Sequence, residues 1–129
     1  MNLLLDTQVL LWLFLRSSRL KKTIRSILAD PANMVYVSAV STWEIAIKTN
    51  LGKLELPGSP AQYLPDRIER AQLTNLPIAP VHTYGVFSLP SHHRDPFDRL
   101  LIAQAQLESL TIVTNDRAFS KYDVKQIAA

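Results

Sequence analysis

Short apolar runs alternate with longer segments of helical period along this chain. Residues 2–5 (NLLL) are a nearly continuous apolar run, as in a strand buried on both faces. Asp6-Thr7 supplies helix caps, and residues 8–15 follow as a helix loaded with large apolar groups until Ser17-Ser18 breaks it. Residues 20–28 form a second helix, with Leu20, Ile24, Ile27 and Leu28 on one face and Lys21, Lys22 and Arg25 on the other. Asp30-Pro31 stops it. Residues 34–37 (MVYV) predict a second strand and residues 38–50 a third helix, closed by Gly52. After a loop at 54–58, Ser59-Pro60 opens a helix running to about residue 73. A third short strand is predicted at 76–79; Pro77 and the following Pro80 argue for an edge position or for only partial pairing. A short helix at 81–89 leads to HHRDPFDRLLIAQAQLES, residues 92–109. There Asp95 suits an N-cap, Pro96 the first helical position and Asp98 the third. The body of this helix is almost wholly apolar, which predicts burial. Residues 110–114 predict a fourth strand, 119–122 a helical turn and 124–127 a last strand.

This alternation predicts an α/β fold: a short, mostly parallel sheet of four to five strands flanked by helices on both faces. No repeat, low-complexity tract or linker divides residues 1–129, which read as a single domain.

Composition narrows the chemistry. The chain is 47% hydrophobic and 19% charged, the profile of a folded globular protein. It has no cysteine, which excludes disulfides, zinc thiolates and thiol catalysis. A net charge of +3 permits an anionic partner without demanding one. The apolar N-terminus does not read as a signal peptide: Asp6 interrupts it, no basic residue precedes it and no small-residue cleavage site follows. The apolar run at 9–15 is too short to span a membrane. A cytoplasmic location without membrane association is the expectation.

Four acids fall at equivalent places in the predicted plan. Asp6 follows the first strand, Glu44 lies in the helix after the second, Asp98 opens the helix before the fourth, and Asp116 follows that strand. In an open parallel sheet, groups just beyond the strand carboxyl ends face one crevice. Singly, each acid has an ordinary reading: Asp6 and Asp116 as N-caps, Ser41-x-x-Glu44 as a capping box, Asp95 and Asp98 as helix-dipole partners. Together they make a different case, because the chain has only 11 acidic residues and gathered carboxylates repel. A divalent cation resolves the repulsion; Mg²⁺ or Mn²⁺ takes oxygen ligands and needs no Cys or His. Such a site performs phosphoryl chemistry. One metal acidifies the attacking water, and a second about 3.5–4 Å away steadies the leaving oxygen. Lys48, Arg94, Arg99 and Arg117 are the candidate phosphate-binding cations, although Lys48 also stands four residues after Glu44 as an ordinary helix pair. His92-His93 reads as loop rather than as a ligand pair, and Trp12, Trp43 and Phe97 as core or interface.

These motifs, in this order, resemble the PIN domain family of metal-dependent ribonucleases, and within it the VapC-like toxins of toxin–antitoxin pairs. LLLDTQVLLWL is similar to the family's opening strand with its first acid, here Asp6. VSAVSTWEIAIKTNLGKL carries the family's Glu, here Glu44, and HHRDPFDRLLIAQA, the most specific match, carries Asp98 with Asp95 just before it. TNDRAFSKY resembles the closing segment with the fourth acid, Asp116. The resemblance implies an endoribonuclease acting on single-stranded RNA with Mg²⁺ or Mn²⁺, metal ligation by Asp6, Glu44, Asp98 and Asp116, with Asp95 a fifth candidate, a homodimer, and a small VapB-like antitoxin as inhibitor. An antitoxin helix is expected near the apolar helices 8–15 and 20–28, and a dimer contact on the helix at 38–50. Two rivals remain open: a silent PIN-like module that only pairs with a partner protein, and an acid-cluster phosphoryl-transfer enzyme. Receiver domains put two adjacent acids after an early strand, where this chain has Thr7 after Asp6, and the DxDxT pattern of aspartate phosphatases is broken by Gln8.

Overall fold

A computed structural model describes residues 1–129. Five strands form one parallel sheet: β1 (Asn2–Leu5), β2 (Met34–Ser38), β3 (Thr74–Leu76), β4 (Thr111–Thr114) and β5 (Gln126–Ala128), in the order β3-β2-β1-β4-β5. Six α-helices join them: α1 (Thr7–Phe14), α2 (Lys22–Ala29), α3 (Ala39–Asn50), α4 (Pro60–Arg70), α5 (Pro80–Gly85) and α6 (Pro96–Glu108). Short 3-10 turns follow α5 at Val86–Ser88 and β4 at Arg117–Lys121.

β1 is central and buried on both sides, which is why it reads as an unbroken apolar run. Alternate side chains serve opposite faces. Leu3 and Leu5 join Val35, Val37 and Val113 in a core covered by α1, α2 and α4. Leu4 and Ile112 join Leu101, Ile102 and Ala105 of α6 on the other face.

The structure corrects three expectations. β3 lies at Thr74–Leu76 rather than at 76–79: it pairs with Tyr36–Ser38 and ends where Pro77 has no N–H to give, though its edge position is as read. The N-cap of α3 is Ser38, whose hydroxyl accepts from Val40 N–H at 3.0 Å, so Ser41 and Glu44 form no capping box. Ser41 is buried and accepts instead from the Thr7 hydroxyl at 2.9 Å. Val9, Leu10, Leu11, Trp12 and Phe14 of α1 are taken up in the core, Leu13 is half-buried and Leu15, just past the helix, is exposed. Other exposed large apolar side chains include Val81, Tyr84 and Phe87 around α5, and Trp43 and Leu107. Lastly, α6 is buried only through Ala105; Leu107 and Glu108 face solvent.

A buried polar pin fixes α6 against the sheet. Gln104, fully buried, accepts from the Ser38 hydroxyl and donates to the Pro77 carbonyl at 3.2 Å. Ser38 ends β2 and Pro77 follows β3, so α6 is tied to the carboxyl ends of two strands.

Candidate active site

Those carboxyl ends open into a crevice of about 420 Å³. Its lining includes Asp6, Glu44, Asp95, Asp98 and Asp116, with Lys48, Lys53 and Asn115 beside them. The five acids singled out from sequence therefore share one cleft, at the point where strand order reverses around β1. No helix of the chain is long and apolar enough to cross a membrane.

Three of the acids are helix caps and crevice walls at once. Asp6 Oδ1 accepts from Val9 N–H at 2.8 Å, Asp95 Oδ1 from Phe97 and Asp98 N–H at 2.9 and 3.1 Å, and Asp116 Oδ1 from Ala118 N–H at 2.9 Å. Capping engages one oxygen of each carboxylate and aims the group at a helix or turn N-terminus. The second oxygens differ: Asp6 Oδ2 accepts from the Thr114 hydroxyl at 2.5 Å. Glu44 lies in the second turn of α3, buried, with Oε2 paired to Lys48 Nζ at 2.5 Å and Oε1 buried without a donor.

The electrostatics follow from crowding in a partly dry cleft. Burial pushes Asp6 up to about 6; the hydrogen bonds from Thr114 and Val9 oppose this, while Asp116 and Glu44 add to it. Burial pushes Asp98 up to about 7, helped by the charges of Asp95, Glu44, Asp116 and Asp6. Lys48 is shifted upward, chiefly by its bond to Glu44.

This all-oxygen donor set suits Mg²⁺ or Mn²⁺. The buried, donorless Glu44 Oε1 is an acceptor that such a cation would satisfy. As placed, no three of the carboxylates converge to coordinating range. Each of Asp6, Glu44, Asp95 and Asp116 is held toward its own donor, and like charges keep the group spread.

The candidate cations divide. Lys48 lines the crevice, but Arg94, Arg99 and Arg117 do not. Arg99 is a clamp on the loop before α6: Nη1 donates to the Pro90 carbonyl at 2.8 Å and the Tyr122 hydroxyl at 3.2 Å, and Nη2 to the Leu89 carbonyl at 3.3 Å. Its expected role at phosphate gives way to that scaffold role, because a guanidinium spent on carbonyls is turned away from the cleft. Sequence reasoning missed Lys53, which reaches the crevice from the turn after α3, and Thr114, two residues before Asp116 on β4. His93, read from sequence as loop, lies with its Nε2 3.4 Å from Asp98 Oδ2.

A family model for the PIN domain matches residues 3–125. The chain belongs to the PIN domain family. Among curated relatives, Ribonuclease VapC16 of Mycobacterium tuberculosis (strain H37Rv) is 44% identical over 59 residues, covering 46% of this chain and 42% of that protein. The chain thus matches less than half the length of this relative. Among solved structures, VapBC2 of Rickettsia felis, bound to a promoter DNA fragment, superposes with a TM-score of 0.75 at 16% identity, covering 100% of this chain and 99% of that one. FitAcB of Neisseria gonorrhoeae superposes with a TM-score of 0.66 at 25% identity, covering 97% and 96%. These likenesses bear out the α/β PIN fold.

Proposed function

We propose that this PIN domain protein is a divalent-cation-dependent endoribonuclease and the toxin of a toxin–antitoxin pair, restrained by a small VapB-like antitoxin and acting in the cytoplasm as a homodimer. The observation that carries this reading is the crevice: five carboxylates share it, two of them pushed far above the usual acid range by burial and by neighbouring carboxylates. The names of the relatives support the rest, one a ribonuclease and others complexes of VapBC or FitAB type.

Asp6, Glu44, Asp98 and Asp116 would hold the cation, with Asp95 capping α6 and adding charge beside Asp98. A bound Mg²⁺ or Mn²⁺ supplies Lewis-acid activation of water and neutralises the phosphodiester charge. The protein's own groups do the rest. Thr114 orients Asp6, the Ser38–Gln104 pin holds the body of α6 against the sheet, and Lys48 and Lys53 set positive charge at the rim for the RNA backbone. The test is cleavage of a pool of structured RNAs by the purified chain with Mn²⁺, against the same reaction with chelator. Cleavage with metal that stops in chelator and in Asp6→Asn supports the reading; equal RNA profiles in all reactions overturn it.

A further inference from the structure

The surroundings of Tyr122 determine where one proton sits. The buried Tyr122 hydroxyl receives two N–H donors, the backbone N–H of His93 at 3.3 Å and Arg99 Nη1 at 3.2 Å. Both acceptor positions of the oxygen are then used. Its own hydrogen goes to the third neighbour, His93 Nδ1, at 2.7 Å. Nδ1 accepts, so the ring proton resides on Nε2. Arg99 cannot easily swing away and release the hydroxyl, because carbonyls of Leu89 and Pro90 hold the same guanidinium.

The Nε2–H fixed in this way is buried, has no hydrogen-bond partner and lies 3.4 Å from Asp98 Oδ2. Asp98, in turn, accepts none of the hydrogen bonds that fix Asp6, Glu44, Asp95 and Asp116. A buried donor left unmade is costly, and here it faces the one crevice carboxylate without a donor of its own. The final torsion of an Asp side chain is soft, so a small carboxylate rotation closes the bond.

We propose that His93 is the positioning residue of Asp98: Tyr122 locks the imidazole with its proton on Nε2, and that N–H takes Asp98 Oδ2 while the other oxygen turns into the crevice. The inference rests on the reading of Asp98 as a cation ligand. Donors standing behind metal-ligating groups fix their orientation, and removing one typically costs 10–100-fold in metal affinity or activity. The loop carrying the histidine, the tyrosine just past the last 3-10 turn and the α6 arginine thus act as one orienting unit.

Two measurements on the full-length chain test this. Long-range proton–nitrogen NMR of the histidine side chains in chelator reads the tautomer, and calorimetric titration with Mn²⁺ reads affinity. Wild type is expected to carry the His93 proton on Nε2, and Tyr122→Phe to show a mixture of tautomers. His93→Phe is expected to bind Mn²⁺ about 10–100-fold more weakly than wild type. His93→Gln, whose amide offers an N–H at similar reach, recovers part of the loss. A wild-type proton on Nδ1 overturns the inference without any variant. So does unchanged Mn²⁺ affinity in His93→Phe when Asp98→Asn has lost it. Equal Mn²⁺ affinity in wild type and Asp98→Asn removes the cation reading of Asp98 itself, and this inference with it.

Discussion

The Thr114 hydroxyl donates to Asp6 Oδ2 at 2.5 Å, joining two buried residues 108 positions apart. Thr114 Oγ1 in turn accepts from Asp116 N–H at 3.0 Å. One hydroxyl at the end of β4 therefore sets both acids that close the central strands. In Thr114→Val the shape is nearly kept but the donor is lost. A hydrogen bond to a charged acceptor contributes roughly 1.5–3 kcal/mol, so Asp6 should ionise about one to two pH units higher. The acid limb of the pH–cleavage profile should move up accordingly; an unmoved limb would show that Asp6 does not govern it.

Stability without metal should fall as pH rises. Burial and mutual repulsion raise Asp6 to about 6 and Asp98 to about 7, both above their values in an unfolded chain. Between about pH 4 and those values the folded state binds more protons than the unfolded one, so raising pH costs stability through this window. Melts in chelator should be higher at pH 5 than at pH 8, and excess Mn²⁺ should flatten the difference. A melting temperature that rises steadily from pH 5 to 8 in chelator would be inconsistent with a crowded crevice.

Asp98→Asn separates site from scaffold. If Asp98 served only the α6 dipole, its loss would cost roughly 0.3–1 kcal/mol. In the crevice it is repelled by Asp95, Glu44, Asp116 and Asp6. Carboxylates about 4–5 Å apart repel by roughly 1–4 kcal/mol at intermediate effective dielectric. The variant should therefore melt higher than wild type in chelator, gain less from metal and fail to cut RNA. A lower melt with cleavage retained would make Asp98 a helix-start residue.

Lys48→Met should act in the opposite direction. Lys48 Nζ is the only donor bonded to the buried Glu44 carboxylate, at 2.5 Å. The ammonium is half in water, so the loss in chelator should be modest, about 1 kcal/mol. The variant should gain more from Mn²⁺ than wild type, because the cation no longer competes with an internal one for Glu44. Paired melts with and without metal read that difference.

The parts of this molecule written in local pattern were legible from sequence. β1, β2, β4 and the buried stretch of α6 appear as apolar runs and helical period, and Asp6 and Asp116 sit at caps whose placement beyond strand ends implies a shared cleft. Asp98 depended on the direction of α6, which the Gln104 bonds to the ends of β2 and β3 now explain. The shift of β3 to Thr74–Leu76 reflects the missing N–H of Pro77 beside a three-residue edge strand. The roles of Arg99, Thr114 and His93 depend on contacts between distant segments and on which way one ring or guanidinium turns. A run of residues such as HHRDPFDR does not encode that its second histidine meets Tyr122 while its second arginine leaves the cleft for the Pro90 carbonyl.

The central claim is that the acid crevice is a divalent-cation site whose carboxylates must lose protons to work. Calorimetric titration of Mn²⁺ near pH 6.5, repeated in buffers of different protonation enthalpy, tests it most directly. With Asp6 at about 6 and Asp98 at about 7, binding should release on the order of one proton, weaken as pH falls and disappear in Asp98→Asn. Absence of binding, or binding of equal strength at pH 5.5 and 7.5 without proton release, would contradict it.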